Sequence, residues 1–232
     1  MEIYAGDHDV EFKDDRSPLT AADKASHDVI MAGLRQHFPE IPILSEEGKD
    51  IPYAERKDWQ RFWLVDPLDG TKEFIKRNGE FTVNIALVEA GRVVAGVVYV
   101  PAQDRMFFGR VGDGAWRVDD GNEAMAINVR KADHEGGLTV VMSRSHPSPE
   151  LADYLKDITV SEALPVGSSL KFCVVAEGRA DLYPRLGPTM EWDTAAGQAV
   201  VEAAGGTVRQ VNGSTLHYNK ENLLNPFFIV KG

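Results

Sequence analysis

The sequence has a single cysteine, Cys173. No disulfide can close within the chain, so its stability has to come from a packed core, as suits a reducing compartment. No apolar run approaches the about 18 residues that read as a membrane-spanning helix, and no apolar leader of a secreted protein is visible. The expectation is a cytoplasmic protein, peripheral to the inner membrane at most. Positive charge is also scarce: 25 Lys and Arg face 36 Asp and Glu, for a formal net charge of −11. Such a surface repels polyanions, which excludes a nucleic acid polymer as partner and disfavours an anionic lipid surface. A small anion can still enter where cations offset the field locally. No two histidines have the spacing of a zinc site. The phosphate loop G-x-x-x-x-G-K-S/T and the nucleophile elbow G-x-S-x-G are both missing, which removes two large classes of hydrolase. No internal repeat is present. A chain of 232 residues suffices for one large domain or two small lobes sharing a core.

What is present centres on residues 62–75. The apolar run 62–65 predicts a short buried strand ending at Asp66, where Pro67 has no N–H to give a ladder. Asp69 follows, then Gly70, which permits a turn that other residues resist, then the hydroxyl of Thr71. Two carboxylates, a hydroxyl and the backbone carbonyl of Leu68 thus converge at a strand end. This is a hard-oxygen set of the kind that Mg²⁺ prefers. Backbone N–H groups at Gly70 and Thr71 could face an anion. The same residues also fit a plain turn and helix start with an Asp cap.

Comparable acids lie elsewhere. Thr20 predicts the cap of a helix whose first turn holds Asp23, with Ala22, Val29, Ile30, Leu34 and Phe38 as its apolar stripe and Pro39 as its stop; capping alone would explain Asp23. Residues 41–48 predict a short strand ending in Glu46 and Glu47, of which one can face a given site, with a solvated acidic loop as the alternative. The run 62–130 predicts mainly antiparallel sheet, with a hairpin joining 81–89 to 93–100 and strands at 104–110 and 115–118. Residues 1–6 read as the last turn of a helix closed by Gly6, and 7–17 as a strand edge and loop. Residues 130–137 predict a boundary, giving lobes 1–132 and 133–232. Beyond it come a strand at 138–142 followed by Ser143 and His146, and a helix at 149–156. A second helix at 170–177 is preceded by Gly167 and two serines, and a strand follows at 180–183. A small-residue helix from 191 to 204 has Asp193 at its start, either as its cap or as a carboxylate that the helix N-terminus aims into a site. The last strands are 207–210 and 227–230. Lys171 falls in a first helical turn, where the macrodipole disfavours a cation. Such a lysine is either an ordinary surface residue or the partner of a bound anion.

Asp66-Pro67-Leu68-Asp69-Gly70-Thr71 differs in spacing from the D-x-D-G-T of haloacid-dehalogenase-like phosphatases, since two residues, not one, separate its acids. Taken with Trp192-Asp193-Thr194-Ala195-Ala196-Gly197 and preceded by Ser45-Glu46-Glu47, it resembles the paired signatures of the inositol monophosphatase superfamily. The runs 72–84, 143–146 and 167–173 resemble its bisphosphate-nucleotidase branch. The resemblance implies an α/β (α+β) fold, a layered α-β-α-β-α sandwich with the site between the lobes. It implies a longer N-terminal helix than the single turn present here. It implies a Mg²⁺-dependent, lithium-sensitive phosphatase with two to three ions. The expected reaction is hydrolysis of adenosine 3′,5′-bisphosphate to AMP, and of its sulfate-bearing relative, by in-line attack of a metal-activated water. Such an enzyme clears a by-product of sulfate assimilation and works as a monomer or homodimer. Residue by residue, it implies that Glu46, Asp66, Asp69, Asp193 and the Leu68 carbonyl hold metal. Asp23 and Thr71, with Glu46, would handle the attacking water. Gly70 and Thr71 would hold the scissile phosphate, and Ser143, His146, Gly167 and Lys171 would line the nucleotide subsite. Inositol or sugar monophosphate hydrolysis on the same metal core, or a non-catalytic nucleotide-binding regulator, are the alternatives.

Overall fold

The computed structural model describes residues 1–6, 10–12, 18–48, 51–132, 135–144 and 149–232. In chain order its elements are α1 (Glu2–Ala5), β1 (Val10–Phe12), β2 (Pro18–Thr20), α2 (Ala21–His37), β3 (Ile43–Ser45), α3 (Tyr53–Arg56), β4 (Arg61–Asp69), α4 (Thr71–Ile75), β5 (Thr82–Glu89), β6 (Arg92–Val100), β7 (Arg105–Arg110), β8 (Gly114–Asp119) and β9 (Met125–Ile127). There follow β10 (Leu138–Ser143), α5 (Pro149–Leu155), β11 (Val160–Val166), α6 (Leu170–Ala176), β12 (Leu182–Arg185), α7 (Glu191–Ala203), β13 (Thr207–Gln210) and β14 (Phe228–Lys231).

Two large sheets carry the fold. Strands β3 to β9 form a seven-stranded sheet in chain order, and β11-β10-β12-β14-β13 form a five-stranded one. In the first, β3 runs parallel to β4 and every other pair is antiparallel. The β5–β6 hairpin turns on Ala90 and Gly91, both at positive φ, which matches the twist of the flanking strands. In the second sheet β10 is parallel to β11 and β12, and β14 is antiparallel to its neighbours.

Side-chain alternation builds the layers. On β4, Phe62 and Leu64 join the main core with Val200 and Ala196 of α7. Trp63 points the other way, to the Phe38 ring 5.3 Å off at the end of α2. On the five-stranded sheet Val141, Tyr183, Phe228 and Val230 face that same core. Val140, Leu182 and Ile229 turn to the opposite face, against Tyr154 and Leu155 of α5. The order is therefore α2, sheet, α6 with α7, sheet, α5, as the resemblance implies. Close approach sets the middle layer. A Cβ on Gly96 of β6 would lie 2.6 Å from the Ala196 carbonyl, and one on Gly197 would lie 2.5 Å from the Phe172 ring of α6.

Several local expectations are corrected. The strand does not stop at Asp66 but runs to Asp69. Its register against β5 skips Pro67 and Leu68, so the proline sits where the ladder needs no N–H. On α2, Val29 is 74% exposed whereas Asp23 is 2% exposed. The helix is rotated so that Asp23, His27, Met31 and Leu34, at successive spacings of four, four and three, face inward. Gly6 ends α1 in an extended conformation rather than a left-handed one. Met190 caps α7, leaving Asp193 at its third position. The sequence reading missed β2, α3, β9 and β11. Four of the first five residues of β11 are exposed and Pro165 stands near its end, which is edge-strand character without an apolar signature. The reading of 7–17 as strand edge and loop lies largely outside the described residues.

Candidate active site

The acids arrive from three directions. Glu46 follows β3, and its N–H donates to the Val65 carbonyl at 3.1 Å, which seats it beside β4. Asp66 lies within β4, buried, and accepts the Leu68 N–H at 3.0 Å. Asp193 comes from the first turn of α7 and accepts the Met190 N–H at 2.9 Å. Each of these three carboxylates offers an oxygen within 4.8 Å of the others'. Burial pushes the Asp66 carboxyl well above its ordinary value, and Glu46, Asp69 and Asp193 push it further. Burial does the same to Asp193, followed by the charge of Asp69. Three carboxylates held this close could hold a cation between them. All the donors are hard oxygens, which suits Mg²⁺ or Ca²⁺ over zinc.

Asp69 sits at the edge of this group. Its Oδ2 accepts from Ser169 Oγ at 2.6 Å, with Asn84 Nδ2 at 3.4 Å and Thr82 Oγ1 at 3.5 Å. Gly70 then turns the chain at φ 91° into α4, placing Thr71 at its first position. A side chain at Gly70 would be doubly impeded, by that φ and by Ser168 Cβ at 3.1 Å. Asp23 is buried in the first turn of α2. The same helix is pinned beside the acids by Ser26 Oγ on the Pro67 carbonyl at 2.8 Å and by His27 Nδ1 at 3.0 Å from Ser45 Oγ.

The segment Gly167–Ser169 joins the two sheets. Gly167 N–H donates to Glu80 Oε2 at 2.8 Å. Arg144 grips both oxygens of Glu80 at 2.7 Å. Ser168 stands at φ 44°, and its carbonyl accepts the Lys171 ammonium. Lys171 is thus no surface lysine: it is 7% exposed, with its ammonium 5.7 Å from the centre of the Tyr183 ring. Burial pulls it down to about 8, helped by the Arg185 charge and opposed chiefly by Asp69.

Near it lies a small cleft lined by Ser143, Tyr183 and Arg185 together with Leu151, Pro184, Leu186 and Gly187. Arg185 Nη2 donates to the Pro188 carbonyl at 2.8 Å, while its Nε is buried without a partner. His146 lies outside the described residues. Arg185, Glu80, Asn84 and Ser169 were missed by the sequence reading. Only the position of Arg185 at a strand end, 14 residues after Lys171, could have drawn attention.

Known proteins resemble this chain throughout. Residues 2–227 match the inositol monophosphatase family. The 3′(2′),5′-bisphosphate nucleotidase CysQ of Salmonella typhimurium is 53% identical over 99% of this chain and 92% of its own length. Its namesake in Haemophilus influenzae is 34% identical over 100% and 87%. The crystal structure of CysQ from Bacteroides thetaiotaomicron matches with a TM-score of 0.87 at 46% identity, covering all of this chain and 90% of that one. An inositol monophosphatase of Thermotoga maritima matches at 0.79 with 25% identity, over 99% and 84%. With its acid cluster, its layered sheets and its full-length relatives, the chain belongs to the inositol monophosphatase family.

Proposed function

We propose that this chain is a Mg²⁺-dependent, lithium-sensitive 3′(2′),5′-bisphosphate nucleotidase that hydrolyses the 3′-phosphate of adenosine 3′,5′-bisphosphate. The observation that carries it is a pairing of opposite clusters. The acids Glu46, Asp66 and Asp193 cluster, and Asp193, with neighbouring Asp69, lies within electrostatic reach of Lys171. Lys171 and Arg185 in turn repel one another, Arg185 on the wall of a small cleft that Ser143 also lines. The first cluster suits a cation-held phosphate, and the second suits another anionic group of the same molecule.

Glu46, Asp66, Asp69 and Asp193, with the Leu68 carbonyl, would hold two to three Mg²⁺, which supply charge neutralisation and Lewis acidity toward phosphate oxygens. Asp23, buried at the helix start, accepts the proton of the attacking water through Thr71. Gly70 and Thr71 present backbone N–H groups to the scissile phosphate. Lys171 and Arg185 donate to the second phosphate, and Ser143 borders the nucleoside. Gly167, whose N–H is spent on Glu80, shapes that subsite rather than donating to it. The lobes 1–132 and 133–232 meet at this site.

Phosphate release from adenosine 3′,5′-bisphosphate and from inositol 1-phosphate, each with Mg²⁺ and with or without Li⁺, tests the reading. The expected result is faster release from the nucleotide, suppressed by Li⁺. Lys171→Met should raise the nucleotide KM and spare a simple monophosphate. Release from inositol phosphate alone would overturn the subsite, and release from neither would overturn the enzyme.

A further inference from the structure

Ser169 lies where the two halves of the acid cluster meet. It is buried, and its Oγ is 2.6 Å from Asp69 Oδ2, 2.6 Å from the backbone oxygen of Asp193 and 2.9 Å from Asn84 Nδ2. Asn84 donates to that oxygen. The hydroxyl has one proton for the two acceptors on its other side, so both are drawn toward a single donor.

Asn84 shows what the arrangement favours. Its side chain is buried in β5, and its Oδ1 has no partner. A buried acceptor left unmade is expensive. Flipping the amide would not help, because Oδ1 would then face the Asp69 carboxylate. The orientation present keeps both donor functions aimed at Asp69 Oδ2 and Ser169 Oγ.

We infer that Ser169 and Asn84 are positioning residues for the cation site, an inference that rests on the metal-dependent reading above. Ser169 ties the carboxylate of Asp69, at the end of β4, to the first turn of α7, which carries Asp193. Asn84 holds Ser169 in that posture. Together they occupy Asp69 Oδ2, fix its carboxylate plane, and preset the separation of acids that come from opposite sides of the molecule. Oδ1 of Asp69 carries none of these bonds and remains for a cation. Partners of this kind, behind the ligands themselves, typically govern metal affinity by 10- to 100-fold.

The test titrates Mg²⁺, and Mn²⁺ in parallel, into the resting full-length protein by calorimetry without nucleotide, alongside thermal midpoints in EDTA. Ser169→Ala should weaken divalent binding about 10-fold or more while the metal-free midpoint stays within about 4 °C of the parent. Asn84→Leu, which keeps the volume and removes both donors, should weaken binding several-fold and carries the test if Ser169→Ala does not fold. The double variant should lose less than the two singles combined, since Asn84 acts through Ser169. At saturating Mg²⁺ each variant should recover most of the parent kcat. A purely structural role would instead lower the metal-free midpoint and leave the affinity alone. Parent-like affinity in both variants overturns the inference by itself. A parent that binds no divalent ion overturns the metal-dependent reading as well.

Discussion

Lys171→Met isolates the cost of a buried charge. The ammonium sits in the first turn of α6, 7% exposed, and its environment draws it from 10.5 to about 8. At about 1.4 kcal/mol per pH unit, the folded state bears about 3 kcal/mol for keeping it charged near neutrality. Folded-state protonation is thus weaker than in the unfolded chain. Below pH 8 both states hold the proton and the whole cost is present. Between 8 and 10.5 the unfolded chain binds more protons, so stability rises with pH. Above 10.5 the cost is gone. Methionine has similar length and removes the charge, but the Ser168 carbonyl loses a donor, worth about 1 kcal/mol. The variant should therefore be about 1–2 kcal/mol more stable than the parent at pH 7. That advantage should shrink by about 2 kcal/mol by pH 10 and change sign. Urea unfolding of both proteins in EDTA, with midpoints converted at a shared slope, measures the difference curve. A difference that is flat from pH 7 to pH 10 would refute the buried, charged lysine.

The acid cluster should respond to pH in the opposite sense. Asp66 and Asp193 are raised above 3.8, so over the interval between 3.8 and their raised values the folded chain binds more protons than the unfolded one. Metal-free protein should gain thermal midpoint as pH falls through that interval toward 3.8, and Mg²⁺ should abolish that slope; scans in EDTA and in Mg²⁺ read both. Gly96→Ala puts a methyl 2.6 Å from the Ala196 carbonyl, where backbone cannot step aside, and should cost about 3 kcal/mol or more. Gly197→Ala meets the Phe172 ring at 2.5 Å but regains about 1 kcal/mol of helix propensity, so urea midpoints should rank it as the milder change. Asp181→Ala strips a buried carboxylate that accepts twice from Arg130 and once from the Thr139 N–H, each at 2.7 Å. It should cost about 3–5 kcal/mol, visible as a drop in thermal midpoint with divalent affinity unchanged.

How much was legible in the sequence depends on what kind of signal each residue carries. The β5–β6 hairpin and α7 were readable because period and turn chemistry repeat over many residues. Glu46 and Asp193 were readable because each ends or begins an element, and Asp66 because Pro67 marks it, although its strand runs on to Asp69. The rotation of α2 was not. Its apolar positions permit two faces, and the choice that buries Asp23 and exposes Val29 is made by what lies beneath, the Pro67 carbonyl and Ser45. Asn84 sits unmarked inside the β-rich run 81–89, and Ser169 is one of two serines before a helix. Ser169 accepts no capping bond on its side chain. Its partners, Asp69 and Asp193, are 100 and 24 residues away, and no local pattern encodes a meeting at that distance. The Glu80–Arg144 pair, separated by 64 residues, was hidden for the same reason.

Substrate class follows from the two like-charge clusters considered together. Carboxylates crowd at Glu46, Asp66 and Asp193, and cations crowd at Lys171 and Arg185, and each cluster is disfavoured by itself. Divalent cations would relieve the first and would there supply a positive centre for one phosphate. A monophosphate of a neutral polyol would stop there, leaving Lys171 lowered by burial and by Arg185, and Arg185 Nε without a partner. A molecule with a second phosphate relieves both strains at once, and the Arg fork binds phosphate oxygens in parallel pairs that a hydroxyl cannot match. The strain is present before any ligand arrives, so it disfavours the resting protein and favours the complex. Binding energy of this remote kind can be spent on holding the reacting phosphate in line. Truncating the second phosphate should therefore lower kcat as well as raise KM.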